Sequence, residues 1–158
     1  MKILAIDPGT TKSAFVIFET RTNKIHHFGI EDNAAVASTV KGSDCDVMVV
    51  EMIKSYGNAI GDSVLMTCVW IGRFWECFNN GATELIPRKT IVTELCMNPR
   101  AKDSNVRQAL IDRWGGKEKA IGNAKKPGPL HKISKDVWSA LAVAVAWSEM
   151  EKLKEIAT

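Results

Sequence analysis

Residues 2–18 read KILAIDPGTTKSAFVIF. The run Ile3-Leu4-Ala5-Ile6 does not alternate, which marks a strand buried on both faces. It ends on Asp7. Pro8-Gly9-Thr10-Thr11 turns the chain, and Ala14-Phe15-Val16-Ile17-Phe18 brings it back as the second strand of a hairpin. A carboxylate at the end of a buried strand is costly unless something pairs with it. A metal ion or a bound phosphate would do so, and Gly9 with two threonines sets N–H and hydroxyl groups at the same point. Taken alone, the motif reads equally well as a tight turn capped by Asp7.

Residues 46–51, Asp-Val-Met-Val-Val-Glu, repeat the theme: four apolar residues ending on an acid. Two strands that each deliver a carboxylate at their C-terminal end say more than one, because open α/β sheets bind ligands outside those ends. If the two strands are neighbours, Asp7 and Glu51 lie side by side, and two close carboxylates call for a cation.

The rest of the chain supplies an ordinary globular frame. Its 158 residues are 46% hydrophobic and 25% charged, which suits one domain with a real core. The net charge of +3 leans toward an anionic partner. Cys45, Cys68, Cys77 and Cys96 form no CxxC pair and no zinc spacing, so we expect reduced, buried thiols. The longest apolar run, 137–147, is too short to span a bilayer, and no signal-peptide pattern opens the sequence. We expect a cytoplasmic protein without a membrane segment.

Residues 25–30 predict a third strand, completing a meander, and 32–40 a short helix capped by Asp32 or Asn33. Residues 52–62 form a polar loop holding Lys54, Tyr56 and Asn58. A helix follows over 63–78, with Met66, Val69, Trp70, Phe74 and Phe78 spaced by three and four. It is apolar around much of its circumference, so the sheet covers it either alone or together with a partner subunit. A fifth strand at 83–86 leads into a helix opened by Pro87 and reaching Cys96. Asp103 or Ser104 caps the next helix, which Gly115-Gly116 ends.

Residues 113–135 carry seven cations against one acid, Glu118, among glycines and prolines. This reads as a mobile basic loop suited to phosphate contact. Ser134 caps a last helix running to about Ile156, rich in alanine, with Asp136 in its first turn.

Three features then stand together: the IDPGTTKSAF turn, Met48-Val49-Val50-Glu51, and a final helix led by Asp136 and containing ALAVAVAW. Together they resemble the RuvC family of Holliday junction resolvases, within the RNase H-like nucleases and closest to the compact phage-type members. The resemblance covers nearly the whole chain. It implies an α/β fold with a five-stranded mixed sheet, order 3-2-1-4-5, flanked by helices. It implies a homodimer through the helix at 63–78, with Met66, Trp70, Arg73 and Phe74 at the interface. A phage-encoded member would act in the cytoplasm of a bacterial host. The site it implies is a carboxylate cluster binding two Mg²⁺ or Mn²⁺ ions. By motif position Asp7, Glu51 and Asp136 match its members. The family's final acid immediately precedes the Ala-Leu-Ala run, and Ser139 stands there instead. His131 or Ser139 would then complete the metal set, and Lys132 or Lys135 would neutralise the transition state. Lys102, Arg107, Lys125, Lys126, Lys132 and Lys135 would hold phosphates of a four-way junction; Tyr56 reads more readily as an ordinary loop aromatic, with stacking at the junction centre as its alternative role.

Other classes share parts of this pattern. The Asp7 turn also resembles the first phosphate loop of actin-like ATPases and sugar kinases, which need a second domain to close on nucleotide. Ser139 motivates a resolvase relative that binds branched DNA without cutting it. A nuclease of the same superfamily acting on flaps, forks or RNA shares the same phosphate chemistry.

Overall fold

The computed structural model describes residues 1–57 and 59–157; Asn58, read above in the polar loop, lies outside them. β1 (Lys2–Asp7), β2 (Lys12–Glu19) and β3 (Lys24–Asp32) form the antiparallel meander. α1 (Asn33–Gly42) leads to β4 (Val47–Met52), which pairs parallel to β1. α2 (Asp62–Cys77) then crosses to β5 (Ala82–Pro87), parallel to β4. α3 (Arg88–Cys96), α4 (Asp103–Arg113), the single turn α5 (Lys117–Ala120) and α6 (Val137–Ala157) complete the chain. The sheet runs β3-β2-β1-β4-β5, the expected order.

Side chains alternate across the strands, and two cores result. Ile3, Ala5, Val47 and Val49 pack on one face with α3, α4 and α6. Leu4, Ile6, Met48 and Val50 pack on the other with α1 and α2. Both faces of β1 and β4 are therefore covered, which is why neither run alternates. Each large side chain buried in them contributes roughly 1.5–3 kcal/mol. Ile6 pairs with Val50 across the parallel ladder. One residue further on, Asp7 and Glu51 emerge from neighbouring strands. They share the parity of Ala5 and Val49, and so belong to the α6 side of the sheet.

The turn behind Asp7 is locked from α1. Gly9 N–H donates to Ser13 Oγ at 3.1 Å, and the Ser13 hydroxyl donates to Asn33 Oδ1 at 2.6 Å. Asn33 Nδ2 closes the ring by donating to the Gly9 carbonyl at 2.9 Å. Ser13 and Asn33 are both buried. Neither Asp32 nor Asn33 caps α1 through its side chain, as the sequence suggested; the Asn33 amide is spent on this clamp. A Cβ on Gly9 would meet the Lys12 carbonyl oxygen at 2.3 Å, so the turn also needs glycine. Asn33→Ala orphans a buried hydroxyl and a carbonyl. It should cost about 2–3 kcal/mol, seen as a lower urea midpoint at unchanged m-value.

Three other expectations change. Residue 103 is the first of α4 rather than its cap: Lys102 holds the cap position and the Asn105 side chain accepts the Lys102 N–H at 3.0 Å. Ser134 does not cap α6 with its side chain; its carbonyl accepts the Val137 N–H at 3.1 Å, and α6 begins after Asp136. The basic segment is not a loose loop. Ala120, Leu130 and Ile133 are buried in the α6-side core, and a bridge joins Gly122 to Pro127. A Cβ on Gly128 would meet the Lys119 and Ala120 carbonyl oxygens at 2.3 Å, so close backbone packing sets this fold. Of the four free thiols only Cys45 is fully buried, and burial pushes its pKa up to about 11.

A candidate carboxylate site at the strand ends

Asp7 ends β1 and Glu51 lies one residue from the end of β4. Asp136 immediately precedes α6, and Ser139 lies in its first turn. Lys135, before Asp136, sits in the left-handed region at φ 46°, a costly place for a residue with a Cβ. Such strain persists only where the surroundings impose it; here the buried Ile133 and Val137 hold the chain on either side.

The electrostatics single out Asp7. Burial is the largest cause that pushes its pKa up to about 7, with the charges of Glu51 and Asp136 adding to it. The Arg88 charge and a hydrogen bond from Ser139 act in the opposite sense. Burial also raises Glu51, and Arg88 opposes it. Two carboxylates on adjacent strand ends, both with pKa values raised chiefly by burial, mark a place where negative charge is under-compensated.

Arg88 is the residue of this candidate site that sequence reasoning missed. It opens α3 directly after β5. Its Nη1 lies 3.4 Å from Glu51 Oε2, and its Nη2 donates to Asp103 Oδ1. Burial works against its charge, but Glu51 and Asp103 together raise its pKa above the usual arginine value. The signal was present: the rule that drew attention to Asp7 and Glu51, ligands beyond strand ends, applies equally to the residue that follows β5.

A cleft of about 320 Å³ opens beside these groups, lined by Arg88, Asp103, Arg107, Lys135, Asp136, Trp138 and Ser139 among others. The Arg107 guanidinium lies 4.8 Å over the Trp138 ring, so Arg107 and Lys135 bring positive charge to its wall. Lys102 is exposed at the start of α4. Lys125, Lys126 and Lys132 are exposed but do not line the cleft. His131 does not join the carboxylates: its Nδ1 lies 3.0 Å from the Ile121 carbonyl oxygen, a bond that stitches the basic segment together. Tyr56 stands exposed in a second groove with Lys54, Pro87 and Lys89, the Lys89 ammonium 5.7 Å from its ring centre.

The α2 residues separate into two faces. Phe74 is fully buried beneath α2, so it belongs to the core rather than to an interface. Met66 and Arg73 are exposed, and Trp70 is half-buried with the Arg73 guanidinium 4.2 Å over its ring. Leu65, Val69 and Trp75 are exposed on the same helix, and a Cβ on Gly72 would meet nothing within 4 Å. The covered residues are those at the spacing of Thr67, Ile71 and Phe74.

A solved structure of RuvC from Thermus thermophilus overlays with a TM-score of 0.68, at 14% identity, covering 98% of this chain and 97% of that one. The fold is that of RuvC. A second structure, T. thermophilus RuvC in complex with Holliday junction substrate, overlays with a TM-score of 0.67 at 13% identity, covering 98% of this chain and 96% of that one. A scan against protein-family models and a search of curated proteins return no match. Coverage end to end means that the RuvC fold takes in the meander, the parallel β4 and β5, and the α6 layer together.

The groups that the sequence singled out at these strand ends would offer oxygen only: the Asp7, Glu51 and Asp136 carboxylates and the Ser139 hydroxyl. Oxygen donors with unbalanced negative charge suit a hard divalent cation. Among the described residues, no group of three or more His, Cys, Asp or Glu is already drawn together around one point. None of the described helices is long and apolar enough to cross a membrane.

Proposed function

We propose that this chain is a metal-dependent, structure-selective DNA endonuclease that resolves four-way junctions by symmetric nicking. The observation that carries the reading is the Asp7–Glu51 pair: two half-buried carboxylates at adjacent parallel strand ends of a RuvC fold, with the Glu51 charge helping to raise the Asp7 pKa. The neighbour with this fold that is solved with Holliday junction substrate supports the choice of DNA.

Asp7, Glu51 and Asp136 would hold Mg²⁺ or Mn²⁺, with Ser139 beside Asp7. A divalent cation bound there supplies Lewis acidity to the scissile phosphate and activates water at neutral pH. The chain's own residues do the positioning. The Gly9–Ser13–Asn33 clamp holds the Asp7 backbone in place, and β1–β4 pairing holds Glu51 beside it. Arg107 and Lys135 lie where the flanking phosphates of a strand in the cleft would run. Lys102, Lys125, Lys126 and Lys132 extend that charge, and Tyr56 offers an exposed aromatic face for stacking on an unpaired base.

Two opposed strands must be cut, so the reading includes a two-fold dimer. The exposed face of α2, with Leu65, Met66, Val69 and Arg73 beside the open Gly72 position, is the surface for it.

The test is cleavage of a labelled immobile four-way junction with Mg²⁺, beside linear duplex, a fork and an RNA–DNA hybrid, with Glu51→Gln as control. Paired symmetric nicks confined to the junction and lost in Glu51→Gln are expected. Preference for the fork or hybrid would keep the chemistry and change the substrate. A second reading, a branched-DNA-binding protein that does not cut, is favoured by Ser139 at the place of an acid. Tight junction binding with no cutting in either Mg²⁺ or Mn²⁺ would select it. In either case log–log salt dependence should flatten by about 0.9 for each phosphate contact removed. The double substitution Lys125→Ala/Lys126→Ala therefore reads directly on whether that segment touches DNA.

A further inference from the structure

Arg88 divides its guanidinium between two acids of unequal standing. Glu51 is the inner one, with its side chain 18% exposed. Asp103 is the outer one, 91% exposed, at the start of a different helix. Asp103 lines the cleft wall, where its place is set by how α4 docks beside α3. Arginine stays charged at any pH the protein meets, and its planar fork can serve two carboxylates at once. Glu51 therefore carries a resident cation that no proton can remove.

We propose that Arg88 is a built-in counter-ion of the carboxylate site, which Asp103 draws away when a divalent cation takes Glu51, so that the Arg88–Asp103 pair sets the affinity of the site for metal. The inference rests on the metal-dependent reading above. With Arg88 on Glu51, the apo site keeps its acid paired and resists adventitious ions. With Arg88 held by Asp103, Glu51 is free and the arginine stays one side chain's reach away. A bound divalent cation and a guanidinium repel each other, so each favours the absence of the other from Glu51.

The test uses the full chain without DNA, titrated with Mn²⁺ and followed by electron paramagnetic resonance, with Mg²⁺ calorimetry as the second readout. Arg88→Gln should tighten binding about tenfold, the scale on which partners behind metal ligands act. Asp103→Asn should weaken it by a similar factor, because Arg88 then settles on Glu51 alone. In the Arg88→Gln background, the effect of Asp103→Asn should largely vanish, since the arginine it acts through is gone and only the weak direct field of Asp103 on Glu51 remains. Arg88→Lys keeps the charge but cannot bridge both acids, and its affinity should not follow Arg88→Gln upward.

Unchanged or weaker binding in Arg88→Gln overturns the inference. So does a loss on Asp103→Asn that persists undiminished without Arg88, which is the signature of a general field rather than of a handed-over arginine. Absence of any Mn²⁺ binding by the wild-type chain overturns the metal-dependent reading and this inference with it. Binding that Arg88→Gln leaves unaltered overturns the inference alone.

Discussion

Asp7→Asn is expected to abolish junction cleavage while leaving junction binding intact and making the metal-free protein more stable. The loss of activity follows from position. Asp7 is the carboxylate on which the charges of both Glu51 and Asp136 act. Removing it takes the middle from the donor set. A metal centre contributes several kcal/mol of transition-state stabilisation, and each 1.36 kcal/mol is tenfold in rate. The expected loss is therefore on the order of 10³-fold or more. Binding survives because the cations of the cleft, Arg107 and Lys135, are untouched.

The gain in stability follows from linkage. Asp7 has its pKa raised from 3.8 to about 7 in the folded chain. A raised carboxylate pKa means that the folded state holds its proton more tightly than the unfolded state. Stability from this group is fully present below the unfolded value. It is lost as pH rises through the window between about 4 and 7 and stays lost above it. The penalty at pH 8 is on the order of 4 kcal/mol. Asn carries no such charge. Thermal melts of the metal-free proteins at pH 8 should place Asp7→Asn several degrees above wild type. The difference should shrink as pH falls toward 4. Mg²⁺ should raise the melting temperature of wild type far more than that of the variant. A variant that is inactive yet no more stable at pH 8 would mean that Asp7 is not held under charge stress. A variant that still cuts would remove Asp7 from the chemistry.

If the chain pairs through α2 as proposed, Val69→Glu is expected to convert that dimer into a monomer and to uncouple the two proposed nicks. Val69 is 54% exposed at the centre of the α2 face, so a carboxylate there does not disturb the core. In a two-fold dimer built on this face, each substitution would come close to its own copy. Like charges brought together in an interface cost several kcal/mol, which weakens association on the order of 10²-fold or more. Sedimentation should show the change in mass, while urea unfolding of the monomer stays close to wild type in slope. Junction cleavage should drop to single nicks in arms cut independently. A dimer that persists at micromolar concentration would move the interface away from α2. Phe74→Ala, by contrast, should destabilise the fold by about 3–5 kcal/mol, because its ring is wholly inside.

Much of this architecture was legible in the chain before any coordinates. Runs with no alternation mark strands covered on both faces, and Ile3 to Ile6 and Val47 to Val50 are covered in that way. Acids that end such runs stand out because burial makes them expensive, and Asp7 and Glu51 could be named because that pattern occurs twice. The sheet order came with the family resemblance, and the β1–β4 register then put the two acids side by side. These are local or period-two properties, and a sequence carries them directly.

Partnerships across the fold were not legible. The contact of Arg88 with Glu51 spans 37 residues, and its contact with Asp103 depends on how α4 docks beside α3. The Asn33 amide looked like a cap and became a clamp on the Asp7 turn, because only the packed chain brings Gly9 and Ser13 within its reach. The basic segment looked unstructured because its charges dominate its composition. Three buried apolar side chains, Ala120, Leu130 and Ile133, anchor it all the same. On α2 the apolar spacing marked a face without saying which side the sheet would take. Composition and period determined the strands, the helices and the acids. Which cation meets which acid, and which apolar face stays open, was decided only by tertiary packing, because charge pairing and burial depend on distance in space and not along the chain.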